Sequence, residues 1–168
     1  MRNQSAGTPR LSKLSRIRKL SMRDAVVLMQ LLVSAIAIEA ALRVVGWQRL
    51  AQAIIARSRT PMLRRFPAFH LHYEIDGISA LADGASSLFP RNRCLVRSML
   101  MLWLLRTRGI PAEVVLGVRK RAGAFEAHAW ARSDAGVIGE NPEVVADFAV
   151  MASSNAVSDA APGSIGEL

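Results

Sequence analysis

The segment that most constrains the fold is a helix-like run, apolar on nearly every side, between Asn92 and Gly109. Asn92 can cap the amino end of a helix, Gly109 can end it in the left-handed conformation, and Pro111 prevents its continuation. A helix that is apolar all round must lie at the centre of a core. Arg97 and Ser98 interrupt the pattern, so we expect one side near the first turn to meet a polar site.

After this helix the pattern changes to short, β-branched segments, which are typical of strands. We predict strands at 112–119, 125–132 and 137–140, followed by a short helix at 143–149. The 168-residue chain is 51% hydrophobic, enough for one domain with a substantial core. The predicted fold class is α+β, with the central helix packed on a small antiparallel sheet and extra helices at the amino end.

Upstream of the central helix, apolar spacing predicts three helices, at 22–45, 47–56 and 75–88. Ser21 supplies a hydroxyl that can cap the first of them. The predicted organisation is a flexible basic arm at 1–21, a helical region at 22–67, the core at 68–152 and a flexible tail at 153–168.

The formal charge of +9 and the pI near 11.3 indicate an anionic partner. Seven cations precede the first acidic residue, Asp24: Arg2, Arg10, Lys13, Arg16, Arg18, Lys19 and Arg23. Nucleic-acid binding is a weak alternative, because this arm has no aromatic residue to interleave with its cations. A solvated tail, docking on an acidic partner and a peripheral contact with anionic lipid all stay open.

The apolar run 25–38 follows basic residues and so imitates the charged and hydrophobic parts of a targeting signal. It is interrupted by Gln30, Ser34 and Glu39, and it is short for a membrane span of about 20 apolar residues. We expect a buried or interfacial helix, with a membrane anchor as the alternative.

Cys94 is the lone cysteine of the chain, which excludes an intramolecular disulfide and fits a reducing, cytoplasmic compartment. It stands at the start of the central helix, where free N–H groups and the helix dipole lower the pKa of a thiol. Arg91, Arg93 and Arg97 add positive potential nearby. The competing interpretation is a small, unreactive core residue, since free cysteine is often buried.

His128 lies on a predicted strand that we expect to pack on the cysteine helix. Strand alternation puts Glu126, His128 and Trp130 on one face, with small alanines on the other that permit close packing. A neutral imidazole within reach of the thiol would take its proton and form a thiolate–imidazolium pair. A purely structural histidine is the alternative.

A third group should hold the tautomer and the orientation of the imidazole. Glu140, across the Asp134–Gly136 turn, is the best candidate. Asp134 itself fits a turn role, Asp147 is a distant alternative, and Glu126 suits a cross-strand ion pair or a substrate contact.

Metal binding has little support in the sequence, because no Cys/His cluster has zinc spacing. His70, His72 and His128 are the only other soft ligands beside the cysteine. We therefore expect no metal and no cofactor.

Four segments taken together carry a family resemblance: Cys94–Ser98, Leu104–Ala112, Gly117–Lys120 and Phe125–Trp130. They resemble the transglutaminase-like leader peptidases of lasso-peptide biosynthesis, over roughly 70–150. The resemblance implies a transglutaminase-like, papain-like core with a Cys-His-Asp site. It implies Cys94 as nucleophile, His128 as base and Glu140 at a position where the family usually has Asp.

The same resemblance implies the reaction and its partners. A ribosomally made precursor is cleaved between leader and core, and a separate ATP-dependent macrolactam synthetase then uses the freed core amine. The family also needs a leader-recognition module, and 1–70 look helical rather than like a compact β-rich peptide-binding domain. The resemblance therefore implies a stand-alone peptidase that works with a separate leader-binding protein.

Two other interpretations keep the same fold. A non-catalytic, transglutaminase-like interaction protein would bury Cys94 as an unreactive thiol of high pKa. A true transglutaminase would use the same thiol chemistry with an amine in place of water as the acyl acceptor.

Overall fold

The computed structural model describes residues 22–58 and 74–155, which form five helices and one four-stranded sheet. The predicted arm at 1–21, the two histidines at 70 and 72, and most of the predicted tail lie outside the described residues. The elements in chain order are α1 Met22–Val45, α2 Trp47–Arg57, α3 Ile75–Ser86, α4 Arg93–Thr107, β1 Glu113–Arg121, β2 Ala124–Ser133, β3 Gly136–Ile138, α5 Pro142–Ala146 and β4 Ala149–Ser153.

Helix α4 lies at the centre of the core, as its apolar pattern predicts. Its side chains from Met99 to Leu102 are fully buried, and α1, α2, α3 and β2 all pack against it. It ends where the sequence predicts, at Gly109, whose φ of 77° is the left-handed conformation that favours glycine.

The sheet is antiparallel, with strand order β3-β2-β1-β4. Its two faces differ, since Ala131 joins the main core beside α4 while Trp130 packs with Val115 and Phe148 in a second cluster. The alternation predicted for β2 is therefore present, and the small alanines let α4 approach the sheet closely. The predicted α+β fold class is confirmed.

The carboxyl-terminal part of the domain differs from the prediction. The short helix predicted at 143–149 ends at Ala146, and the strand β4 follows it and pairs with β1. Ser154, in the predicted flexible tail, accepts a hydrogen bond from the Val114 N–H and donates its own N–H to the Val114 carbonyl. The third strand also stops at Ile138, before Glu140, because Gly139 turns the chain with a φ of 71°.

Helix α1 contains one stretch, Ala25–Val45, that is long and apolar enough to cross a membrane by length and composition. Four of its side chains, Val27, Leu31, Ala35 and Ile38, are buried in the main core. The helix is therefore packed on the domain along one face.

Candidate active site

Cys94 lies in the first turn of α4 and is partly exposed. Asn92 precedes the helix as predicted, but its side chain does not cap it. Its amide instead donates to the carboxylate of Glu39 in α1, at 3.1 and 3.2 Å. The N–H groups of Cys94 and Leu95 lie in the part of a helix that lacks intrahelical acceptors, so they are available to an anion.

The surroundings of the Cys94 thiol favour its thiolate form. A hydrogen bond with His128 lowers the pKa of Cys94 from its ordinary value of 9.0. Burial opposes this effect, whereas the backbone N–H groups of Ala129 and Leu95 add to it. A thiol with these partners is a stronger candidate nucleophile than an unreactive core residue.

His128 is half-buried on β2 and makes polar contacts on both sides of its ring. Its Nε2 lies 2.6 Å from Oε2 of Glu140, which leaves Nδ1 for the Cys94 sulfur. Hydrogen bonds to Cys94 and Glu140 raise the pKa of His128 to about 9, although burial works against the charged form. The rings of Phe148 and Trp130, centred 5.4 and 6.1 Å away, flank the imidazole.

Glu140 therefore completes a line of contacts with the other two predicted site residues. It stands two positions beyond the end of β3, with its side chain mostly buried. One carboxylate oxygen meets His128 and the other accepts from Arg97 Nη1 at 2.6 Å. The structure thus brings Cys94, His128 and Glu140 together.

The other carboxylates considered in the sequence lie elsewhere. Glu126 pairs with Arg119 at 2.8 Å, and Asp147 lies 3.5 Å from the same guanidinium. Asp134 is an exposed residue of the turn between β2 and β3. Of the four carboxylates considered, Glu140 is the one that contacts the imidazole.

The sequence predicts that Arg97 adds positive potential and marks a polar side of the helix, but it does not predict the contact of Arg97 with Glu140. Arg97 is 6% exposed. Its guanidinium contacts the Glu140 carboxylate, donates to Ser79 Oγ at 2.8 Å and to the Gly139 carbonyl at 2.5 Å, and lies 3.1 Å from Asp83 Oδ1. The available signal was a charged residue inside an otherwise apolar helix.

The Cys94–His128 pair stands between two open pockets and lines both of them. The first, of about 520 Å³, also contains polar side chains such as Asp83, Arg93 and Glu140. The second, of about 530 Å³, is more apolar, with contributions from Trp47, Leu95, Leu116, Val118 and Met151. An extended chain lying across both pockets would pass directly over the thiol.

Within 22–58 and 74–155, no group of three or more His, Cys, Asp or Glu side chains is arranged to hold a metal ion. The chemistry available at this site is that of a thiol, an imidazole and a carboxylate, which supports nucleophilic attack on an acyl group.

A helix that carries the cysteine in its first turn and packs on an antiparallel sheet that carries the histidine defines a transglutaminase-like fold. The sequence profile of the Transglutaminase-like superfamily matches residues 32–153, and the chain belongs to that superfamily. No curated protein and no solved structure gives a significant match to the chain.

Proposed function

We propose that the chain is a cysteine peptidase that removes the leader from a ribosomally made lasso-peptide precursor. The observation that carries the proposal is the line of contacts from Cys94 through His128 to Glu140 in an open cleft. The resemblance of the cysteine and histidine segments to lasso leader peptidases supplies the choice of substrate.

The first chemical step uses the thiolate–imidazolium pair. The Cys94 sulfur attacks the scissile carbonyl carbon, and the carbonyl electron pair moves to oxygen. The Cys94 N–H at the helix start is the natural donor to that oxyanion. His128 gives its proton to the leaving amine as the C–N bond breaks, and Glu140 stabilises the imidazolium until then.

The second step regenerates the enzyme. His128, now neutral, takes a proton from water, and the hydroxide attacks the thioester that joins Cys94 to the leader fragment. The C–S bond breaks, the leader leaves as a carboxylic acid, and the pair returns to its charged form. The amine product of the first step is the free amino terminus of the core peptide.

The partners follow from the same proposal. Residues 22–58 form two helices that pack on α4, so we propose that a separate protein binds the leader. The freed core amine would pass to a macrolactam synthetase. A reduced nucleophile fits a cytoplasmic location, since Cys94 is the one thiol of the chain.

The test combines the purified chain with a precursor peptide and its leader-binding protein, and follows cleavage by mass spectrometry. We expect release of leader and core from the wild type, and no release from Cys94→Ala or His128→Ala. Glu126→Ala is the matched control, because it changes a partly exposed residue of the same strand whose carboxylate pairs with Arg119 and not with His128. Cleavage by purified Cys94→Ala would contradict the proposal.

The same reaction distinguishes hydrolysis from acyl transfer. Added primary amine competes with water for the thioester, so a transglutaminase would give the leader as an amide. We expect the leader as a free acid even with amine present. A predominant amide product would assign transferase activity to the site.

A further inference from the structure

We propose that Arg97 is a positioning residue, which fixes Glu140 so that one carboxylate oxygen is aimed at His128. The inference rests on the proposed function, because it concerns the same thiol site. Arg97 does not meet the reacting sulfur, and it acts through the carboxylate that meets the imidazole.

The Arg97 guanidinium is itself held by three residues besides Glu140, two in α3 and one after β3. Helix α3 contributes Ser79, which accepts from Nη2 at 2.8 Å, and Asp83, whose Oδ1 lies 3.1 Å from Nε. The Gly139 carbonyl accepts from Nη2 at 2.5 Å, and the Ser79 hydroxyl donates to the same carbonyl at 3.2 Å. Nη1 is thereby directed at Glu140.

Glu140 needs such a fixed partner because the sheet does not extend to it. The pairing of β2 with β3 ends at Ile138, and the chain then turns at Gly139. A Cβ at position 139 would lie only 2.5 Å from Ser79 Oγ, so this turn packs directly on the group that holds Arg97. The loop is thus positioned by side-chain contacts rather than by a β ladder.

Charge alternates along the line from Arg97 to Cys94. The guanidinium is positive, the Glu140 carboxylate negative, the imidazolium positive and the thiolate negative. Loss of the guanidinium removes a positive charge and frees the carboxylate to leave His128. Both changes destabilise the thiolate and so raise the pKa of Cys94.

The experiment measures the rate of iodoacetamide alkylation against pH, a readout that depends on the thiolate and requires no substrate. Because Cys94 is the one cysteine, the signal comes from a single site. We expect Arg97→Met to shift the midpoint of the rate upward by about one pH unit, which lowers the rate about tenfold at pH values well below the wild-type midpoint. Arg97→Lys keeps the charge and should recover part of that loss.

Arg93→Met is the matched control. It removes the same charge one turn earlier on the same side of α4, but Arg93 is half-exposed and pairs with Asp83 rather than Glu140. A general effect of positive potential predicts equal shifts for the two methionine variants, and that result would overturn the positioning role. If Arg97→Met does not fold, Arg97→Lys and Glu140→Gln take its place, because both keep the approximate size of the side chain. An alkylation profile that is unchanged in both of these variants would overturn the positioning role as well.

Cleavage kinetics separate this inference from the proposed function. If the wild type cleaves the precursor, Arg97→Met should lower kcat with little change in KM, as expected for a group that orients the base. If the wild type does not cleave but the alkylation shift is found, the peptidase proposal fails while the role of Arg97 stands. If cleavage occurs but Arg97→Met leaves the alkylation profile unchanged, the peptidase proposal stands while the role of Arg97 fails.

The outer face of α1 carries a second, independent inference: we infer that it docks on an anionic membrane surface. Large apolar side chains are about half exposed or more at Val26, Met29, Val33 and Ile36, with Val26 the least exposed at 49%. From Ala25 to Ala40 every exposed side chain of the helix is apolar. A charge-free stripe of this length is unusual on a surface that faces only water.

The charge of the chain favours lipid as the occupant. Positions 2–23, which lead into the first two residues of this helix, hold seven cations and no acidic residue. At a membrane surface, the apolar helix face would contact the lipid acyl chains and the basic residues would contact the anionic headgroups. The helix would lie flat rather than cross the bilayer, because its opposite face carries Leu31 and Ala35 into the core.

The test is co-sedimentation of the full chain with vesicles. We expect binding to vesicles of phosphatidylcholine with phosphatidylglycerol, little binding to phosphatidylcholine alone, and loss of binding in Val33→Glu. Leu88→Glu is the matched control, because Leu88 is an equally exposed apolar residue outside α1. Absence of binding to anionic vesicles, or a dimer that Val33→Glu dissociates, would overturn the lipid assignment.

Discussion

The two ends of α4 have opposite surroundings although they belong to one continuous helix. The first two turns carry Cys94 and Arg97, which contact His128 and Glu140 beside an open cleft. The following turns carry side chains that are almost all buried among other apolar groups. The comparison shows that the buried apolar turns hold the helix in the core. Because the helix is held there, the Cys94 thiol lies next to His128.

The two ends also differ in how they affect stability. Buried apolar side chains stabilise the fold in proportion to the area they remove from water. The buried charges near the first turn need their partners, because an uncompensated buried charge is strongly destabilising. We therefore expect the core end to determine folding and the first turn to determine chemistry.

The largest effect should come from the first turn. Cys94→Ala removes the nucleophile, so precursor cleavage should fall by at least about a thousandfold. The thermal unfolding midpoint should change little, because the thiol is only partly buried. A large drop in that midpoint would contradict the division between the two ends.

In the apolar turns that follow, Leu100→Ala should show the reverse pattern. Leu100 is fully buried, and a cavity in its place should lower the free energy of unfolding by about 2–5 kcal/mol. Urea unfolding measures this loss. The pH dependence of Cys94 alkylation should stay that of the wild type under conditions where the variant is folded, and a shifted profile would mean that the two ends are not separate.

The pH dependence of kcat/KM tests the charged pair itself. The thiolate forms as pH rises through the lowered pKa of Cys94, and the imidazolium is lost as pH rises through the raised pKa of His128, about 9. The rate should therefore rise from acid pH, reach a plateau and fall above about pH 9. A rate that keeps rising beyond pH 9 would indicate that the reaction does not require the thiolate of Cys94 together with the imidazolium of His128.

The same raised pKa of His128 has a consequence for stability. A histidine whose pKa rises from 6.5 to about 9 on folding stabilises the protein fully below pH 6.5. That contribution is lost as pH increases from 6.5 to 9. Comparison of wild type with His128→Ala over this range isolates it, and parallel stability curves would contradict it.

The smallest effect should come from the sheet face behind the histidine. A Cβ at Gly117 would lie 2.7 Å from the Trp130 ring and 2.9 Å from Phe148, so Gly117→Ala should lower the free energy of unfolding by about 1–3 kcal/mol. Because both rings flank His128, cleavage should fall as well. Gly84→Ala is the control, since nothing lies within 4 Å of its added Cβ.

The sequence predicted the central helix and the β1–β2–β3 order because these depend on local patterns. The apolar circumference of α4, the left-handed Gly109 and the β-branched segments each carry their own signal. The pairing of Cys94 with His128 also followed, since a helix start and a strand that packs on that helix lie close together.

The remaining features depend on contacts between distant residues. Strand β4 reads Ala-Val-Met-Ala-Ser, without clear alternation, and its pairing with β1 makes it a strand. Asn92 has the composition of a cap, but Glu39 competes for its amide. The partners of Arg97 lie in α3 and after β3, so local sequence does not reveal them.

The central claim is that His128 lowers the pKa of Cys94 and so favours its thiolate form, and iodoacetamide alkylation of wild type and His128→Ala tests it most directly. We predict that the midpoint of the wild-type rate lies below the ordinary thiol pKa of 9.0, and that His128→Ala displaces the midpoint back toward that value and reacts more slowly at pH 7. Identical profiles for the two proteins, both rising only near pH 9, would contradict the account.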